Sequence, residues 1–110
     1  MSQRDDSVYI KDILDSIEQI FSYTLNKTEF DFSSGLMMQD AVHRRFEIIG
    51  EAASKISPEF KKRHPDIEWS LMKDMRNKLI HEYFGISSAT IFHTIQKDLP
   101  LLKEKLEKIL

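Results

Sequence analysis

The chain has 110 residues, a formal charge of -2 at pH 7, 41% hydrophobic and 31% charged residues, and only three glycines and three prolines. That length suits one domain over residues 1–110 with a single core, and scarce glycine and proline favour long helices over short strands joined by many turns. The absence of cysteine excludes disulfides, thiolate metal sites and a cysteine nucleophile, and the charge argues against a broad basic surface that grips nucleic acid through many phosphates.

Any site for RNA or a nucleotide must therefore be local. The basic runs "HRR" at 43–45 and "KKRH" at 61–64 read first as solvated helix faces. The N-terminal "MSQRDDSVYI" has no apolar run of signal-peptide length, and no segment approaches the roughly 18 apolar residues of a membrane span. A soluble, cytoplasmic protein without membrane association is expected.

Ile10, Ile13, Leu14, Ile17, Ile20, Phe21 and Leu25 recur at helical spacing and predict a first helix over about residues 7–26, with Ser7 as its N-cap. "NKTEFDFSSG" breaks the pattern and reads as a connection with a short turn around Phe30 and Phe32. Val42, Phe46, Ile49, Ala53 and Ile56 step by four and three and mark a second helix of roughly residues 35–56. Ser57 followed by Pro58 is a start signal, so a short helix over Pro58–Arg63 should follow and end near Pro65. Met72, Met75, Leu79, Ile80 and Tyr83 or Phe84 outline a third main helix over about residues 67–83, which Gly85 is placed to stop. Ser87 or Ser88 caps the next helix. Ile91, Ile95, Leu99, Leu102, Leu106 and Ile109 carry that pattern to the C-terminus, with Pro100 expected to kink or divide it. The expected fold is all-α: an up-and-down antiparallel bundle of four main helices plus a short extra one.

One stretch does not fit a purely structural helix. On a wheel of 100° per residue, Arg76 of "RNKLIHEYFG" falls among Met72, Leu79, Ile80 and Tyr83, in the core-facing sector. An unpaired buried cation would cost several kcal/mol, so Arg76 needs a carboxylate, an open cleft or an anionic ligand. Glu47 and Glu51 on the second helix are the candidate carboxylates. His81 lies about 140° away on the polar side. Arg76 and His81 can meet through the reach of the arginine, through a loosened last turn before Gly85, or across a symmetric interface. The plain alternative is a buried ion pair at Arg76 and a helix C-terminal imidazole at His81.

The stretch "MRNKLIHEYFG" resembles the signature of the HEPN superfamily, an arginine followed after four residues by histidine and, one residue on, by tyrosine. More narrowly, the chain resembles the HepT-like toxins. The likeness extends through "RFEIIGEAASKISPEFKKRHPDIEWSLMKDMRNKLIHEYFG" and "IQKDLPLLKEKLEKIL" and covers about residues 8–110. It implies a metal-independent endoribonuclease without cofactor, acting as a homodimer whose two motifs line one cleft. It further implies His81 as general acid or base, Arg76 as the phosphate and transition-state binder, and Asn77 as a supporting polar group. Tyr83 is implied as an RNA contact or as the acceptor of AMP from a minimal nucleotidyltransferase antitoxin. Non-catalytic alternatives are a HEPN module that binds a nucleotide or docks a partner to regulate a nucleotidyltransferase, and a purely structural helical dimer.

Other constellations carry less. His43, Glu47 and Glu51 lie along one helix stripe, but no second Glu-x-x-His partner appears for a bridged metal site. His64 and His93 read as structural. Ser33, Ser34, Ser87 and Ser88 read as caps or loop residues, and the five methionines as packing.

Overall fold

The computed structural model describes residues 5–81 and 87–110, the side chains of 78–81 excepted. Every regular element among the described residues is helical. Helix α1 spans Asp6–Thr24 and buries Ile10, Ile13, Ile17 and Ile20 completely. Its N-cap is Asp5 rather than Ser7, because the Asp5 carboxylate accepts the Ser7 N–H at 3.0 Å. It ends two residues before the predicted stop, and Asn26 just beyond it takes the left-handed conformation at φ 59°, which asparagine tolerates well.

The segment read as a connection forms a further helix, α2, over Glu29–Ser34. A capping box begins it: Asp31 N–H donates to Thr28 Oγ1 at 3.1 Å and Thr28 N–H donates to Asp31 Oδ2 at 2.9 Å. Within it Phe32 is fully buried, with its ring 5.7 Å from that of Phe92, while Phe30 is exposed. One buried aromatic per six residues gives no periodicity to detect, which is why a turn was the simpler expectation.

Helix α3 spans Leu36–Lys55 and α4 spans Pro58–Arg63. Ser57 caps α4 as predicted, accepting from Phe60 N–H at 3.2 Å. It also ties α4 to the start of α1, since its own N–H and Oγ–H donate to the two carboxylate oxygens of Asp6 at 2.9 and 2.7 Å. Helix α5 spans Trp69–His81. The Trp69 ring meets Phe60 of α4 edge-on at 6.2 Å, and its Nε1–H donates to the His64 carbonyl at 3.0 Å. These contacts tie the start of α5 to α4, and α5 packs on α3.

Helix α6, Ser88–His93, begins at the cap Ser87, a π-helical segment follows over Thr94–Asp98, and α7 spans Leu99–Lys108. The predicted break at Pro100 takes this form: Pro100 is the second residue of α7, and just before it Leu99 N–H reaches back five residues to the Thr94 carbonyl. A proline ring clashes with the carbonyl four residues earlier in a regular helix, and the wider π turn is one way to accommodate it. Ile91, Phe92, Ile95, Leu99, Leu102 and Leu106 remain buried through the change. They join residues of α1, α2, α3 and α5 in one apolar cluster. No described helix is long and apolar enough to cross a membrane.

Candidate functional site

Helix α5 packs along α3, and at Gly50 the two come very close. A Cβ added there would lie against Arg76 Cβ and within 2.8 and 2.9 Å of Arg76 Cδ and Cγ. Only a residue without a side chain lets the arginine stem lie on the α3 backbone. Gly50 escaped the sequence reading, although an isolated glycine inside a helical pattern, at a cost near 1 kcal/mol, signals a packing or functional reason.

The stem so placed carries the guanidinium to the edge of the α3–α5 seam. Arg76 Nη1 donates to Glu51 Oε2 at 3.0 Å, and Nη2 donates to Asn77 Oδ1 at 3.1 Å. An arginine has no acceptor, so the oxygen of the Asn77 amide is the atom that must face it. Arg76 Nε is buried and lacks a hydrogen-bond partner among the described residues. Of the two carboxylates proposed from sequence, Glu51 is the one paired with Arg76. Its other oxygen, Oε1, lies 3.6 Å from Lys55 Nζ. The expected need for a counter-charge is met, and the Arg76 side chain keeps 23% of its exposure. The pair is thus at a rim and not within the core.

The backbone of α5 stays helical through His81. His81 therefore sits five residues, about 7.5 Å of rise, beyond Arg76 and about 140° around the helix from it. The last turn before Gly85, where loosening is one route for the two to meet, lies outside the described residues. The Arg76 fork points to Glu51 on α3 and to the neighbouring Asn77. The His81 side chain, Tyr83 and Gly85 lie outside the described residues.

The stripe of His43, Glu47 and Glu51 divides into two sets. Glu51 faces Arg76 and Lys55, whereas His43 interacts with Asp40 and Glu47. Partial burial pushes the His43 imidazole below its ordinary pKa, against the opposing pull of those two carboxylates. His64 packs on the Phe60 ring at 4.7 Å, and His93 is exposed at the end of α6.

The arrangement is a guanidinium held by its stem, with one nitrogen bonded to a neighbouring amide and one to an exposed carboxylate, a fork of the kind that pairs with anions. Comparison with known proteins adds a lineage. A family model described as "Ribonuclease HepT-like" matches residues 13–109. A protein of Thermococcus cleftensis named "Probable ribonuclease HepT" is 42% identical over 107 residues, covering 97% of both chains. A Methanocaldococcus jannaschii protein named as a gamma-glutamylcyclotransferase and a candidate RNase is 43% identical over 108 residues. That alignment covers 98% of this chain, which spans about half the length of that relative, 49%. A candidate RNase of Caldanaerobacter subterraneus is 35% identical over 102 residues, 93% of this chain and 91% of its own. No solved structure matches the chain.

Proposed function

Because the chain belongs to the HepT-like ribonuclease family, we propose that it is a metal-independent endoribonuclease that works as a homodimer. One observation carries the dimer. Arg76 and His81 occupy positions of α5 that lie about 140° apart around the helix, and the Arg76 fork is directed at Glu51 and Asn77. A two-fold axis beside the end of α5 would bring an arginine and a histidine from each copy into one cleft.

In that cleft one His81 takes the proton from a ribose 2'-hydroxyl as its oxygen attacks phosphorus. The other His81 protonates the departing 5'-oxygen, leaving a 2',3'-cyclic phosphate and a 5'-hydroxyl. Arg76 stabilises the charge that builds on the phosphorane oxygens, and Asn77 holds the guanidinium in plane. The described helices suit a single-domain, four-helix arrangement in which α1, α3, α5 and the rod from α6 to α7 are the main members, with α2 and α4 as short additions.

The same reading makes the protein the toxin of a cytoplasmic pair. Its partner, a minimal nucleotidyltransferase, would transfer AMP to Tyr83. An added phosphate there competes for Arg76 and blocks RNA.

The test is cleavage of a labelled RNA in EDTA by wild type, Arg76→Ala and His81→Ala, with the mass of each protein checked in parallel. The expected result is a cyclic phosphate product from wild type and a loss of about 10²–10⁴ in rate for His81→Ala. Wild-type dimers that bind RNA without cutting it would instead mark a non-cleaving module that regulates a nucleotidyltransferase.

A further inference from the structure

We propose that Glu51 is a displaceable carboxylate that occupies the Arg76 fork in the free protein and passes to Lys55 when an RNA phosphodiester binds. The proposal rests on the reading of Arg76 as a phosphate binder and adds how access to that site is controlled.

Three observations lead to it. First, the arginine does not need Glu51 to hold its position. Its Cβ, Cγ and Cδ lie on the Gly50 backbone, and Asn77 Oδ1 accepts from Nη2 at 3.1 Å. Second, Arg76 Nε is buried, so an incoming phosphate must use Nη1 and Nη2. Nη1 is the nitrogen that Glu51 Oε2 occupies at 3.0 Å. Nη1 carries two N–H groups, but a phosphate brought to it would sit beside the Glu51 carboxylate, so the two anions compete for the same end of the fork. Third, Glu51 has somewhere to go. Its side chain is 56% exposed, and Lys55, one turn along the same helix and 54% exposed, already stands 3.6 Å from Oε1. Side-chain rotation alone completes the transfer. An exposed ion pair of this kind is weak enough for a phosphodiester to displace and strong enough to lower anion affinity measurably.

The consequence is selectivity. A lone weak anion gains little by replacing a carboxylate that is already in place. A phosphodiester chain, held at neighbouring phosphates as well, displaces it readily.

The experiment uses a fluorescent 2'-O-methyl RNA oligonucleotide, which lacks the attacking hydroxyl and cannot be cut. Its affinity is measured for wild type, Glu51→Gln, Lys55→Met and the double variant, with thermal melts as the folding control. Glu51→Gln should bind about two- to fivefold tighter than wild type. Lys55→Met should weaken binding in the wild-type background and do so much less beside Glu51→Gln. Glu104→Gln is the matched control, because Glu104 pairs with Lys108 at the same spacing and the same 3.6 Å on α7. It removes the same charge and should leave affinity nearly unchanged.

Weaker binding by Glu51→Gln would make Glu51 a positioning residue and overturn the proposal. Equal tightening by Glu104→Gln would reduce the effect to overall charge and overturn it as well. The same loss from Lys55→Met in both backgrounds would exclude transfer to Lys55, and no binding by any variant would remove the anion site altogether. Cleavage of unmodified RNA by wild type in EDTA is scored separately, so failure of the ribonuclease reading is distinguishable from failure of the Glu51 mechanism.

Discussion

Gly50 determines how closely α5 approaches α3, and so where the Arg76 stem can lie. Replacing it with alanine sets two effects against each other. Alanine is the better helix former by about 1 kcal/mol, but its Cβ would meet Arg76 Cβ, which is anchored to the α5 backbone and cannot swing aside. Overpacking of this sort costs about 1–3 kcal/mol. Gly50→Ala should therefore lower stability by about 1 kcal/mol in urea unfolding and weaken RNA binding as well, since the fork moves with its stem. A more stable Gly50→Ala protein would show that the contact is loose. About two turns back along α3 lies the part-buried His43. His43 has a folded-state pKa below the ordinary 6.5, chiefly through burial. A folded state that resists protonation loses stability as pH falls below the unfolded value. His43→Gln should thus be less sensitive than wild type to a drop from about pH 7.5 to about pH 5, as measured by unfolding free energy at both. At this scale the sequence was partly legible. An arginine in an apolar sector needs a carboxylate, an open cleft or an anionic ligand, and Glu51 is one of the two candidate carboxylates, because wheel position and charge are local properties. The spacing between α3 and α5 is not local, so Gly50 remained an unremarked letter in "EIIGEA".

Among the elements, α1, α3 and the rod from α6 to α7 were legible because each buries a continuous apolar stripe, and periodicity is the signal that survives in sequence. The differences lie at ends and in short pieces. Asp5 outcompeted Ser7 as the cap of α1, and α2 was hidden because its stability comes from the Thr28–Asp31 box and one inserted ring. The cap at Ser57 was predicted, but its pairing with Asp6 across 51 residues was not, since nothing in the local pattern encodes it. That pairing makes a testable coupling. Ser57→Ala removes an N-cap, costing about 1 kcal/mol, and strips Asp6 of one of its two hydrogen bonds. Asp6→Ala removes both bonds from the other side. Each substitution should destabilise by about 1–2 kcal/mol, and the double variant should lose clearly less than the sum. Additive losses in a chemical denaturation cycle would mean that the α1–α4 tie contributes nothing.

For the whole molecule, the chemistry proposed for RNA cleavage requires an acid and a base, while each chain brings one histidine in the motif. The net charge of -2 limits how much phosphate one copy can hold, and in the proposed dimer a second Arg76 would supply local positive charge that composition alone does not. Under the proposed mechanism, both needs make activity a property of the pair. Specific activity per chain should then fall on dilution in step with the dimer fraction, measured by light scattering or mass photometry over the same concentrations. Two controls sharpen the test. Activity should recover on reconcentration, which excludes surface loss, and the helical circular dichroism signal should stay constant, which excludes unfolding on dissociation. A monomer that keeps full specific activity would place acid, base and guanidinium within one chain. The helical backbone that sets Arg76 and His81 about 140° apart would then have to rearrange on binding RNA.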